Sequence, residues 1–158
     1  MTIAELNRRF NTADISKFAG EAVQKYEAEI VEANQDQLQD GELSNTQPIR
    51  PKYKSDWYAR MKQTMNANPD YGTPDLKKEG GFYAGFKVFL QGRFQYRISS
   101  TDSKTSLLSD KYKPEIFGLN QRNTRDVGER YVQPDFIARL KTFLFRWVGA
   151  FPVRLKLN

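Results

Sequence analysis

A two-residue periodicity of apolar side chains marks the middle of residues 74–119, which read PDLKKEGGFYAGFKVFLQGRFQYRISSTDSKTSLLSDKYKPEIFGL. Alternating positions share one face of a strand, so the pattern predicts an antiparallel hairpin over about residues 82–99 with its turn at Gln91-Gly92. The apolar face of the first strand would carry Phe82, Ala84, Phe86, Val88 and Leu90, or the first one or two residues after Gly80-Gly81 would instead form a helical turn. The return strand would place Phe94, Tyr96 and Ile98 on one face and Arg93, Gln95 and Arg97 on the other.

The same stretch predicts a helix and an apolar return after the hairpin. Asp102 or Ser103 would cap a helix over residues 104–112, with Leu107 and Leu108 facing inward. The helix would end at Pro114, and residues 116–119 would form a short apolar plug. Two further short helices would follow, one capped by Asn120 and reaching about residue 131, the other running over residues 134–149.

The N-terminal part predicts one long helix over residues 14–39. Its apolar residues recur every three or four positions, Thr12 or Asp14 would cap its start, and Gly41 would end it. Such a rod would be about 39 Å long at 1.5 Å per residue. It would either lie across the sheet of its own domain or extend onto a neighbouring subunit.

A polar connection over residues 40–56 precedes a second helical pattern at residues 57–65, where Trp57 and Met61 would face inward, with Tyr58 as a further candidate. Residues 66–74 have the turn chemistry of a loop. The expected architecture is therefore α+β, with a long N-terminal helix packed on a small antiparallel sheet. One domain would span residues 1–149, and residues 150–158 would be a C-terminal extension or arm.

The extension alternates apolar and basic side chains, a pattern typical of a strand. It would either add a strand to a partner's sheet or fold back on its own sheet. The candidate arm residues are Phe151, Val153, Arg154, Leu155, Lys156 and Leu157.

The composition argues against an enzyme, because the 158-residue chain contains no histidine and no cysteine. Thiolate metal sites, disulfides and every nucleophile that depends on histidine are thereby excluded. The carboxylates near turns, Asp70, Asp75, Glu79 and Asp102, have no spacing that predicts an acid/base pair. Gly80, Gly81 and Gly85 lack the Gly-Lys-Ser/Thr ending of a phosphate loop, so neither a metal nor a cofactor is expected.

Charge divides the chain into two parts. Residues 1–41 carry four Arg/Lys and eight Asp/Glu, a net charge of −4, whereas residues 42–158 carry twenty-one and eleven, a net charge of +10. Such polarity suits subunits that stack on one another, although the acidic residues could equally be the solvated side of one helix. Neither a signal peptide nor a spanning segment is expected, which predicts synthesis in a reducing cytoplasm.

Cations interleaved with aromatic residues suggest contact with nucleic acid. The candidate DNA-facing residues lie beside Tyr53, Trp57 and Tyr58, and they are Lys52, Lys54, Arg60 and Lys62. Such a surface combines phosphate neutralisation with base stacking. The alternative is that the aromatic residues fill the core while the neighbouring cations are solvated.

The order of several short motifs over residues 38–138 resembles small structural proteins of tailed bacteriophages, of the head-tail connector, neck or tail-completion group found in phages of Bacteroidetes-type hosts. The residues that carry the resemblance are Tyr53, Tyr58, Lys62, Asp75, Leu76, Gly81, Phe82, Tyr83, Phe86, Asp102, Ser103, Phe117, Gly118 and Leu119.

The resemblance implies a virion protein without enzymatic activity. It would form a homo-oligomeric ring, six- or twelve-fold, that joins the portal or connector side of the head to the tail proteins. Non-specific contact with genomic DNA would be possible, and no membrane contact is implied. The alternative function is a nucleic-acid-binding accessory protein of DNA packaging or morphogenesis.

Overall fold

A computed structural model describes residues 2–77 and 80–146. These residues form an α+β fold that is mostly helical, with one antiparallel hairpin in the middle of the chain. The elements are α1 Ile3–Thr12, α2 Ile15–Lys25, α3 Glu27–Gln39, α4 Asp56–Met65, α5 Gly81–Ala84, β1 Phe86–Gln91, β2 Gln95–Ser100, α6 Thr105–Tyr112, a 3-10 turn Pro114–Ile116, α7 Gln121–Val127, a π-helical segment Gly128–Val132, and α8 Gln133–Phe145.

The predicted N-terminal rod is two helices, and the sequence pattern missed a third before them. Asp14 caps α2, as expected, because its side chain accepts a hydrogen bond from Lys17 N at 3.0 Å. The backbone leaves α-helical geometry at Tyr26, with φ −109° and ψ 29°, and α3 starts directly afterwards. The expectation of one straight helix over residues 14–39 is therefore wrong, because the apolar stripe continues through the junction while the backbone does not.

The hairpin pairs β1 with β2 in antiparallel register, from Phe86 opposite Ser100 to Gln91 opposite Gln95. Residues 92–94 form the turn, so it is longer than the predicted Gln91-Gly92 turn and includes Phe94. Phe82 and Ala84 lie in α5 and not in the strand. Phe82 and Tyr83 are both buried, and a helical turn can direct two consecutive side chains to one core whereas a strand alternates them.

An aromatic cluster joins the hairpin to the plug that the sequence predicted. The ring of Phe86 lies 5.0 Å from that of Phe82 and 5.5 Å from that of Phe117, measured between centroids. Ile116 is fully buried beside them, and Ile30 and Leu38 of α3 complete this part of the core. The prediction of an apolar plug is confirmed.

Two buried amides of α3 hold the backbone of the plug. Asn34 donates to Ile116 O at 3.2 Å and accepts from Gly118 N at 3.2 Å. Gln37 donates to Gly118 O at 3.1 Å and accepts from Asn120 N at 2.8 Å. Buried backbone N–H and C=O groups need hydrogen-bond partners, and the plug is not part of a described strand. The two amides supply these partners.

The C-terminal helices run on without the predicted break. Asn120 caps α7 by accepting from Asn123 N at 2.8 Å, as expected. The π-helical segment then carries the chain into α8, and Gln133 N donates to Gly128 O, five residues earlier. This widened turn lies directly before Pro134, whose missing N–H would interrupt an α-helical ladder. Two short separate helices were therefore the wrong expectation.

Helix α8 packs antiparallel against α2. Phe143 contacts Phe18 with ring centroids 5.5 Å apart, and Arg139 Nη1 lies 2.6 Å from Glu21 Oε2. Leu144 is buried, whereas Ile137 and Phe145 are exposed. Trp147 and Val148 lie outside the described residues.

Two other inward assignments are wrong. Trp57 in α4 is 72% exposed and Leu107 in α6 is 65% exposed. In α4 the buried positions are Ala59 and Lys62, because Lys62 has a carboxylate partner inside the protein. In α6 Leu108 packs against the core and Tyr112 is buried, which turns Leu107 outward.

Candidate functional site

A buried ion pair between Lys62 and Asp75 is the centre of the residues that carry the resemblance. Lys62 Nζ lies 2.7 Å from Asp75 Oδ1, and the two side chains are only 9% and 4% exposed. The ammonium also donates to Lys77 O at 2.6 Å. The pair therefore ties α4 to the segment that leads into the hairpin.

Asp75 also organises the polar groups around it. Its carboxylate accepts hydrogen bonds from Lys77 N at 3.2 Å, Tyr53 OH at 3.3 Å and Asn66 Nδ2 at 3.4 Å. Its backbone carbonyl accepts one from Tyr83 OH at 2.5 Å. Lys62, Lys77 N and Tyr53 converge on Oδ1 and Asn66 contacts Oδ2, so most of the acceptor capacity of this carboxylate is used in structural hydrogen bonds.

Burial, and then the charge of Asp75, raises the pKa of both Tyr53 and Tyr83 above the ordinary phenol value. Both phenols therefore stay protonated and act as donors across the physiological range. Tyr53 also packs edge-on against Tyr58, with ring centroids 4.9 Å apart. The sequence had identified these residues separately, but the pairing that unites them depends on long-range contacts.

A groove of about 500 Å³ opens beside this cluster. Leu76, at its edge, has a left-handed backbone with φ 56°. Among the residues lining the groove, the resemblance had already identified Tyr53, Tyr58, Leu76, Gly81, Phe82 and Asp102. Three ammonium groups also border it, those of Lys77, Lys104 and Lys111.

Asp102, another residue that carries the resemblance, shapes the turn after the hairpin. Asp102 accepts from Lys104 N at 2.7 Å and donates its own N–H to Ser100 Oγ at 3.2 Å. Asp102 therefore closes a turn two residues before Lys104, the N-cap position of α6. The prediction of Asp102 or Ser103 as a helix N-cap is wrong by one or two residues.

Ser103, Phe117, Gly118 and Leu119 line a second groove, on the outer side of β2.

The distal half of the hairpin exposes large apolar side chains. We call this surface the hairpin end, and it consists of Phe89, Leu90, Phe94 and Tyr96. Phe94 in the turn is 66% exposed, and the guanidinium of Arg97 lies 5.6 Å from the ring centroid of Phe89. A monomer gains nothing from leaving such a surface in water, so it is a candidate contact surface.

The four candidate DNA-facing cations do not share one environment. Lys52, Lys54 and Arg60 are exposed, but Lys62 is buried against Asp75 and cannot reach a phosphate. Lys52 Nζ donates to Tyr71 O at 2.8 Å, and Arg60 Nε lies 2.9 Å from Asp56 Oδ2. A hydrogen bond from Tyr71, and then the charge of Arg60, lowers the pKa of Asp56.

The candidate arm, Phe151, Val153, Arg154, Leu155, Lys156 and Leu157, lies outside the described residues. Within residues 2–77 and 80–146, no cluster of three or more carboxylates is arranged to hold a metal ion. Over the same residues, no helix combines the length and the apolar character needed to cross a membrane.

No protein-family model matches the chain, and neither a curated protein nor a solved structure is significantly similar to it. Its function is therefore inferred from the residues and contacts described above.

Proposed function

We propose that the protein is a structural virion component at the head-tail junction of a tailed bacteriophage, a neck, connector or tail-completion protein. Identical subunits would form a closed ring, six- or twelve-fold, between the portal or connector proteins and the tail proteins. The observation that carries the proposal is the hairpin end, where four large apolar side chains are exposed on the two faces and in the turn of the two-stranded sheet. Covering them in an interface would remove apolar area from water.

The available chemistry supports assembly over catalysis. The chain has neither histidine nor cysteine, and the most buried carboxylate, Asp75, is engaged by Lys62 and several further donors. Perturbed groups at enzyme sites normally keep one position open for the substrate. The Asp75 cluster instead joins three separate segments of the fold, which suits a rigid subunit.

The resemblance gains support from where its residues lie. Tyr53, Lys62, Asp75 and Tyr83 meet in one polar cluster, although they are spread over thirty residues of sequence. Phe82, Phe86 and Phe117 meet in one aromatic cluster next to it. A set of motifs inherited as a unit would be expected to form one framework in this way.

The test is to locate the chain in purified particles. Density for α3 and the hairpin in a reconstruction of the neck region, or an affinity-tagged copy labelled there by electron microscopy, is the expected result. If the protein is missing from purified particles while other neck components are present, the proposal is wrong.

A nucleic-acid-binding accessory protein is the second candidate, because Trp57 is exposed between Lys54 and Arg60. This arrangement supplies a stacking ring with adjacent cations. Under this alternative, affinity for single-stranded DNA would fall steeply between 50 and 200 mM salt, by about tenfold or more. Trp57→Ala would weaken DNA binding at every salt concentration. Replacing Lys62 would remove no phosphate contact, because its ammonium is buried against Asp75.

A further inference from the structure

The outer edge of β2 has backbone groups directed away from β1, the strand with which it pairs. Thr101 N donates to Gly85 O at 2.8 Å, so residues 85 and 101 are a hydrogen-bonded pair of the antiparallel ladder. Hydrogen-bonded pairs recur every second residue, which places Arg97 and Ser99 among those that bond to β1. The N–H and C=O groups of Tyr96 and Ile98 therefore point outward.

A contact on the opposite edge supports this assignment. Val88 lies opposite Ile98 in the register, so its N–H must also point away from the ladder. It donates to Glu27 Oε1 of α3 at 2.8 Å. The edge of β1 is thus covered by a helix, as edges in stable proteins usually are.

Among residues 2–77 and 80–146, a side chain caps the edge of β2 at one end only. Thr105 Oγ1 donates to Ser100 O at 3.0 Å and closes the end nearest α6. Beside Tyr96 and Ile98 there is instead a groove of about 760 Å³, which we call the β2 groove. Its opposite wall is formed by α6 and the plug, including Thr105, Ser109, Phe117 and Leu119.

This groove has the features of a site for an added strand. Tyr96 is 39% exposed and Ile98 only 3%, so the outward N–H and C=O groups of Tyr96 are the accessible ones, and Phe117 and Leu119 offer apolar contact on the side of Ile98. In β-augmentation the main chain supplies affinity, and alternate side chains fit pockets.

The chain itself contains a segment with the matching pattern. Residues 147–158 follow the described part of α8, and after Pro152 they alternate Val153, Arg154, Leu155, Lys156 and Leu157. Pro152, which has no N–H, would precede the pairing positions, where proline is tolerated. We propose that residues 153–157 of one copy pair with the free edge of β2 in a second copy.

In this arrangement the apolar side chains of the segment face the side of Ile98, and its cations face the side of Ser99. A shift by one residue would place Arg154 and Lys156 against Phe117 and Leu119, which would bury two charges. The alternation therefore selects one of the two possible faces.

The packing of α2 favours a neighbouring copy over the same copy. At 100° per residue, Gly20 lies on the side of α2 opposite to Phe18 and Lys25. Phe18 and Lys25 contact α8, whereas a Cβ on Gly20 would lie 3.2 Å from the side chain of Leu90 in the hairpin. Helix α2 thus separates α8 from the hairpin.

Two packing distances of about 10 Å each therefore separate the end of α8 from the hairpin. The six residues 147–152, which link α8 to the pairing segment, span at most about 22 Å when fully extended. A straight path of that length would pass through α2, and a path around α2 is longer. The linker therefore favours the β2 groove of a neighbouring copy, which can lie next to the end of α8.

Each copy would then give one segment and receive one. Such a contact is heterologous, and repeating it closes a ring when the rotation per subunit divides a full turn. The inference rests on the proposed ring function and names the contact that joins its subunits.

The absence of cysteine from the chain makes disulfide trapping unambiguous. Relative to an added strand, Ser99 is at a non-hydrogen-bonded position, where the Cα atoms of antiparallel partners are about 4.5 Å apart, within reach of a disulfide. Full-length Ser99→Cys/Arg154→Cys and Ser99→Cys/Lys156→Cys are purified, oxidised and run on non-reducing gels. Ser99→Cys/Leu155→Cys is the matched control, because residue 155 faces the opposite side of the pairing segment.

We expect at least one of the first two variants to form dimers and longer ladders that disappear with reductant, at several times the yield of the control. A disulfide confined to one chain would overturn the contact between copies. Equal yields in all three variants, or no disulfide in any, would overturn the strand pairing. Because the experiment uses purified protein, these outcomes are independent of whether the chain is found at the neck of particles.

Discussion

Lys62 and Asp75 form an ion pair of 2.7 Å that is almost entirely removed from water. It connects α4 to the segment before the hairpin, where Tyr83 donates to the backbone of the same Asp75. Two charges taken out of water are tolerated only when each satisfies the other and further hydrogen bonds fill the remaining positions. The pair therefore helps to fix how α4, the Asp75 segment and α5 pack together, and substituting one partner tests this role.

Lys62→Met is expected to lower the free energy of unfolding by about 3–5 kcal/mol, because it leaves the carboxylate of Asp75 buried without its counter-charge. Urea denaturation measures the change. Arg60→Met is the matched control in the same helix, since its ion pair with Asp56 is exposed and its loss should change stability little. Equal losses of unfolding free energy in the two variants would contradict a special contribution of the buried pair to stability.

Phe86→Ala is expected to lower the free energy of unfolding by about 3–5 kcal/mol, because Phe86 packs against Phe82 and Phe117 in the core. Phe94→Ala also removes a phenyl ring, but this ring is mostly exposed, so the melting temperature should stay nearly unchanged. Thermal unfolding followed by circular dichroism compares the two. An unchanged melting temperature for Phe86→Ala would show that the strand face is assigned wrongly.

Gly85→Ala is expected to destabilise the protein and loosen the start of the hairpin. A Cβ at Gly85 would lie 2.5 Å from Ser100 Oγ and 2.9 Å from Asp102 N, and the second of these is backbone. Gly128→Ala is the control, because Gly128 has helical backbone angles and its new Cβ would meet nothing closer than 3.8 Å. It should be neutral or stabilising by up to about 1 kcal/mol. Urea midpoints that fall equally for both glycines would argue against the close approach.

Asp135→Asn should change how stability depends on pH. Hydrogen bonds from Lys25, and then from Arg139, lower the pKa of Asp135 below its ordinary value of 3.8. A lowered pKa in the folded state contributes stability that is complete above the unfolded value and is lost as pH falls through the folded value. The difference in melting temperature between wild type and variant should therefore shrink as pH falls below about 4. A difference that stays constant down to about pH 2 would exclude this contribution.

Deleting residues 149–158 should leave a folded domain that no longer assembles. The core contacts of α8, such as Phe143 against Phe18, are formed within the described residues, so the melting temperature should change little. Sedimentation velocity compares the oligomer of the full-length and shortened proteins. If the shortened protein assembles as well as the full-length one, residues 149–158 are not required for assembly and the prediction is wrong.

Signals carried by a few neighbouring residues were read correctly from the sequence. The caps at Asp14 and Asn120, the plug at residues 116–119 and the position of the hairpin all depend on local backbone chemistry. Signals that required knowledge of the rest of the fold were missed. The bend at Tyr26 and the continuous helix through Pro134 both depend on how distant elements pack.

By itself, the sequence determined that this is an α+β protein with a central hairpin and without the residues for histidine or thiol chemistry. Periodicity, capping and composition are properties of short segments, so they can be read before any contact is known. Tertiary structure alone decided that Lys62 is buried while Trp57 is exposed, although the two lie in one helix. Burial depends on what the rest of the chain brings to each side chain, and Lys62 meets Asp75 whereas the ring of Trp57 stays largely in solvent.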